Sequence, residues 1–262
     1  MTAVPRTASR PLPAHRVWIP RQHGAWAMLL LPVLLGVAAS TPNPWQLAVA
    51  GLALAGYLAS ATLQVWSRNR RPAAYRAPIT VYATVAAALA LLLAAVFPPV
   101  MLAALVVLPT GALVFRSAQP GTRRDLANSL LQVAQALVLV PVTAWVSGAW
   151  DPGRVLAYTL VAAGYQLGTV LVVRSVLRER GNQGFATLSA GFHVGLMLLA
   201  AALLPLPYAI TAAGLAARAI LLPSVQRRME RGSKPLKPVH VGALEAVCSI
   251  SVVVVAFVVP IV

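Results

Sequence analysis

The basic residues of this chain fall in every second gap between its apolar segments. Nine apolar stretches run at 24–40, 45–66, 79–97, 99–115, 125–146, 155–173, 187–204, 207–224 and 240–261. Each needs about 20 residues to cross the hydrocarbon of a bilayer. Of the 21 Lys and Arg, 19 lie in the N-terminal arm or in the second, fourth, sixth and eighth gaps. The other class of gap holds Arg154, and Arg218 sits inside an apolar segment. This is the positive-inside pattern of a bacterial-type polytopic membrane protein. It predicts an all-α bundle of about nine transmembrane helices in the cytoplasmic (inner) membrane. The N-terminus is expected in the cytoplasm and the C-terminus outside.

Composition agrees. Only 10% of the residues are charged and the mean hydropathy is +0.79, whereas a soluble domain carries about a quarter charged residues. A net charge of +16 invites a nucleic-acid reading. The charges sit in short gaps between spans, however, so anionic lipid headgroups are the expected partner and nucleic acid is not. A single cysteine, Cys248, excludes an internal disulfide and a paired-cysteine metal site. Residues 1–15 read as a disordered Pro- and Arg-rich arm, and residues 16–262 as one transmembrane domain. A cleavable signal competes for the first span. The long polar arm, Trp26 and Pro32 argue against it. Pro32 and Pro109, inside spans, predict kinks that membrane helices tolerate.

Several polar residues are costly inside a membrane. In the fifth span Asp125, Asn128, Gln132 and Gln135 are spaced 3, 4 and 3 apart, which puts them on one helical stripe. The stripe is expected to face other helices or a watery cavity. Hydrogen bonding between helices is the simpler account. Gln64 in the second span, with Ser60 and Ser67, repeats the theme. So do Tyr158, Tyr165, Gln166 and Thr169 in the sixth, and Ser189 and His193 in the seventh.

Two charges are embedded. Arg218 lies about six residues from the cytoplasmic end of span eight, and Glu245 about five from that of span nine. At about 1.5 Å per residue both sit at one depth, so an Arg218–Glu245 pair is expected. Its simpler role is a stabilising ion pair, and its functional role is contact with a substrate anion or a proton. His23, His193 and His240 share the cytoplasmic side. None has a metal-ligand partner at helical spacing, so neither a metal nor a cofactor is implied. At the end of span six Arg174 and Arg178 lie one turn apart, beside Glu179. Two such arginines form a donor surface for phosphate or carboxylate. Singly, each is ordinary topology charge.

Three blocks carry a family resemblance. Trp18-Ile-Pro-Arg-Gln-His-Gly-Ala-Trp-Ala-Met28 opens the first span, Val173-Arg174-Ser-Val-Leu-Arg178-Glu179 ends the sixth, and His240-Val-Gly-Ala-Leu-Glu245 opens the last. Together they resemble the YwiC-like family of bacterial membrane proteins. The resemblance implies a polytopic membrane protein and no particular mechanism. More distantly, nine spans with the N-terminus inside resemble the UbiA-type prenyltransferases. In those enzymes Asp-rich motifs after spans two and six bind a diphosphate through magnesium. The matching gaps here, Ser67-Arg-Asn-Arg-Arg-Pro72 and Arg174 to Asn182, contain no Asp. Magnesium needs such oxygen ligands, so the resemblance leaves only an arginine-based pocket for an anionic head and an apolar tail.

Three classes stay open: a UbiA-like enzyme or lipid-binding relative, a small-solute transporter, and a non-catalytic membrane accessory protein. The leading expectation is a cytoplasm-open, basic pocket for an anionic lipid or isoprenoid-type ligand. Its candidate residues are Gln64, Asp125, Asn128, Gln132 and Gln135. From the later spans come Arg174, Arg178, Glu179, His193, Arg218 and Glu245. A transporter would use Arg218 and Glu245 as part of an internal path. No catalytic elbow, phosphate loop or zinc-protease motif is present in the sequence.

Overall fold

The computed structural model describes residues 15–18, 25–69, 72–117, 126–232 and 236–261. Residues 1–14 of the expected N-terminal arm, His23 and Asp125 lie outside them. In chain order the helices are α1 (His15–Trp18), α2 (Ala25–Ala38), α3 (Trp45–Asn69) and α4 (Pro72–Val96). A 3-10 segment (Pro98–Ala103) leads into α5 (Ala104–Ser117). Then come α6 (Leu126–Leu137), α7 (Leu139–Trp145), α8 (Pro152–Leu177), α9 (Gln183–Leu203), α10 (Leu206–Arg231) and α11 (Pro238–Val258). The described residues form an all-α polytopic bundle. Eight of its spans are long and apolar enough to cross a membrane, and Met28–Ala38 supplies a shorter apolar helix.

The helices follow the apolar pattern and depart from it at prolines. The fifth span is two helices, because Pro141 has no N–H to return to the Leu137 carbonyl; the break falls at Val138, between α6 and α7. The fourth span opens as a 3-10 turn behind Pro98 and Pro99. Elsewhere prolines are absorbed. Pro72 occupies the first turn of α4, where no N–H is needed, so that helix starts seven residues before the apolar stretch. The helix α10 runs through Pro223 to Arg231, seven residues beyond its stretch. α2 runs through Pro32, and Gln166 on α8 donates to the Met28 carbonyl at 3.0 Å.

The core gathers around α8. Val155, Tyr158, Ala162 and Tyr165 pack against Leu31 and Leu35 of α2, Val140 and Ala144 of α7, and Val252 and Ala256 of α11. Small residues on α8 let its neighbours close in: a methyl group at Gly164 would already touch Leu196 at 3.1 Å. At the periphery, α4 and α5 leave most of their side chains exposed. Leucines such as Leu91, Leu105 and Leu108 point outward. In a chain this apolar such faces meet lipid.

One end of the bundle is tied shut by its own hydrogen bonds. Gln46, buried at the start of α3, donates to Ser40 Oγ at 3.0 Å and to the Thr143 carbonyl at 3.3 Å. Ser40 forms a bridge with Trp150. The chain after α11 is held by Arg154 Nε on the Ile261 carbonyl at 3.0 Å and by Tyr208 on the Val259 carbonyl at 2.9 Å. The basic clusters of α8 and α10 lie at the other end.

Candidate functional site

Four helices meet at a buried polar cluster. Arg218 on α10 donates through Nη1 to both carboxylate oxygens of Glu245 on α11, at 2.7 and 2.6 Å. Thr169 on α8 donates to Glu245 Oε2 at 2.9 Å. Arg218 Nη2 lies 3.2 Å from His193 Nε2 on α9, and His193 Nδ1 lies 2.7 Å from the Ser189 carbonyl. A carbonyl accepts only, so Nδ1 carries the ring proton. Nε2 is then free to accept from Arg218, and the ring is neutral. Arg218 is 8% exposed and Glu245 3%, so neither faces lipid. An embedded charge is tolerable only when paired and hydrogen-bonded, and this pair is both.

The helix surfaces are shaped for this. Gly168 lies directly against the imidazole: a methyl group there would sit 2.7 Å from His193 Nε2. Behind Glu245, Tyr165 donates to its backbone carbonyl at 2.9 Å and meets Ser249 Oγ at 2.7 Å. The expected Arg218–Glu245 pair is therefore formed. Thr169 and Tyr165 are among the polar residues that the sequence marks in the sixth span, whereas Gly168 carries no signal there.

A second polar group lies where α8, α9 and α10 end or begin. Arg174 Nη2 donates to Glu179 Oε1 at 3.2 Å. Glu179 Oε2 also accepts from Asn182 at 3.4 Å, and Asn182 caps α9 by accepting from the Phe185 N–H at 3.1 Å. Gly181, at φ 78°, makes the tight turn between the helices, a conformation that costs other residues more. Arg180 pairs with Glu230 at 3.5 Å, and Glu230 also accepts from Gln226 at 2.7 Å. A small pocket opens here between Ser175, Glu179, Asn182, Gln226 and Glu230. Arg174 itself is largely buried. Its Nε and Nη1 are shielded from solvent and have no acceptor.

Of the remaining candidates, Gln64 and Gln135 make side-chain bonds outside both groups. Asn128 is buried on α6, whereas Gln132 on the same stripe is exposed. Gln135 donates to the Val107 carbonyl of α5 at 3.3 Å, which is bonding between helices. Gln64 donates to Ser60 one turn earlier at 3.2 Å. Arg178 and His240 are exposed. Among the described residues, no three His, Cys, Asp or Glu side chains gather where an ion could be held.

The model of the YwiC-like protein family matches residues 19–144. Over those residues the chain is similar to the YwiC-like family. A relative from Bacillus subtilis (strain 168), "Uncharacterized protein YwiC", is 28% identical over 183 residues, which cover 70% of this chain and 77% of that one. No solved structure matches the fold. The segment matched by the family model ends in α7. Arg174, His193, Arg218 and Glu245 all follow it, so both polar groups lie in the part of the bundle beyond that match.

Proposed function

We propose that this YwiC-like protein is a multi-pass inner-membrane protein that binds an anionic amphipathic ligand at the basic end of α8–α10. The proposed orientation puts that end in the cytoplasm, as the alternating charges require. One observation carries the reading. Arg174 is a permanent cation, held out of solvent, with the N–H groups of Nε and Nη1 unanswered. Leaving buried donors of a charged group unpaired costs more than about 1–3 kcal/mol. A phosphate or carboxylate oxygen supplies the missing acceptors, and arginine accepts such groups in paired geometry. Glu179 already occupies Nη2 and leaves that capacity in place.

The rest of the molecule is consistent with an amphipathic ligand. Outward leucines along the spans offer apolar surface for a tail, and the basic gaps attract anionic headgroups. The Gln46, Arg154 and Tyr208 hydrogen bonds hold the opposite end together, which supports access from one side. The UbiA-like likeness adds an isoprenoid-type tail as one candidate. With no Asp between Arg174 and Asn182, the head would be held by arginine directly.

The test is mass spectrometry of lipids and metabolites carried by the protein through purification in mild detergent. An anionic amphiphile bound to the wild type and lost from Arg174→Gln is expected. Equal recovery from both proteins, or none from repeated wild-type preparations, would remove the reading.

A further inference from the structure

The buried cluster supports a separate site. We propose that His193 is an intramembrane proton-binding site whose occupancy loosens α9 from the Arg218–Glu245 pair. The inference is independent of the anionic ligand and rests on the hydrogen-bond directions alone.

The neutral ring is locked in one tautomer. Nδ1–H is committed to the Ser189 carbonyl, and Nε2 holds the one lone pair available for a proton. That lone pair receives Arg218 Nη2–H at 3.2 Å. A proton taken up at Nε2 forms an N–H bond with that same electron pair. The Arg218 hydrogen bond is then lost, and two donors and two positive charges face each other. Glu245 is the negative group at the cluster, and both its oxygens are already used by Arg218 and Thr169.

Among the described residues, the contacts of the ring supply no acceptor for a new N–H at Nε2. From α8 the ring meets Gly168, which has no side chain to answer a new N–H. From α10 it meets Arg218, and from α11 Glu245 through that arginine. On α9 itself it meets the Ser189 carbonyl and the Phe192 ring at 5.8 Å. The imidazolium must therefore move away from Arg218, and α9 moves with it. An imidazole takes up a proton on acidification while an arginine stays charged throughout, so the device responds to falling pH with Arg218 unchanged.

Cys248 supplies a reporter already in the chain. It is half-buried on α11, one turn from Glu245 and beside Arg218. Maleimide labelling of Cys248 in the purified full-length protein should be compared between wild type and His193→Gln at each pH. The comparison cancels the pH dependence of the thiol reaction itself. The ratio of wild-type to variant rate is expected near one at about pH 8 and several-fold higher at about pH 5. A ratio that stays flat across that range would overturn the proposal. Nitrogen NMR of histidine-labelled wild type needs no variant, and His193→Asn serves if the Gln form fails to fold. A His193 ring neutral at Nε2 near neutral pH, which gains its second N–H on acidification, supports the proposal. An imidazolium already present at neutral pH, or a ring that never protonates, contradicts it.

Discussion

Arg218 holds both carboxylate oxygens of Glu245 through a single nitrogen, Nη1, inside a four-helix junction. The arrangement leaves Nη2 for His193 and ties α9, α10 and α11 through one guanidinium. Thr169 brings in α8.

Removing one partner of this pair strands a buried charge. Glu245→Leu is expected to cost about 3 kcal/mol or more, and Arg218→Met a similar amount. The double variant replaces the pair with apolar volume and should recover most of the loss. Unfolding titrations of the single and double variants in detergent micelles measure this. A double variant as unstable as the sum of the singles would mean the pair is not an isolated unit.

Gly168 is fixed by contact and not by backbone conformation. Gly168→Ala drives a methyl group to 2.7 Å from His193 Nε2, so the ring or the helix must shift. A loss of about 1–3 kcal/mol is expected. Gly168→Ala should also weaken the Arg218–His193 bond, visible as a changed His193 nitrogen shift. A stable variant with an unchanged shift would show that the contact is looser than described.

Gln166 substitutes for the N–H that Pro32 lacks. Gln166→Leu leaves the Met28 carbonyl without this donor and should cost about 1–3 kcal/mol. Pro32→Ala returns an N–H to that carbonyl and should rescue much of the loss in the double variant. Thermal melts of the four proteins form the cycle. Purely additive losses would separate the two residues.

Much of this fold is legible in the sequence because a membrane leaves the backbone few options. Lacking water, the chain satisfies its own N–H and C=O groups within helices, so apolar length and charge position nearly define the elements. Boundaries set by chemistry other than hydropathy are harder. The helices α4 and α10 extend into basic segments because helix geometry tolerates Arg76 and Arg227 at the surface, and Pro141 divides a span that hydropathy draws as one. In the site, Arg218 and Glu245 are visible as paired depth on antiparallel helices. Gln46, Gly168 and Ser249 are not, because their roles depend on which helices become neighbours. The stripe on α6 shows the converse. Asn128, Gln132 and Gln135 share a spacing, yet one is buried, one is exposed and one bonds α5.

Glu179 limits what Arg174 offers to an anion. Glu179→Gln keeps an acceptor for Nη2 and removes the negative charge beside it. Affinity for an anionic amphiphile, read by tryptophan fluorescence or microcalorimetry with a defined phospholipid, should rise about threefold or more, equivalent to about 0.7 kcal/mol. Unchanged or weaker binding would place the ligand elsewhere.

The most direct measurement is an experimental density map of the protein held in native-lipid nanodiscs. A phosphate- or carboxylate-sized density within about 3 Å of Arg174 Nε and Nη1, continuous with an apolar tail, is the predicted result. Arg174 closed off by protein groups, with no such density beside it, would contradict the account.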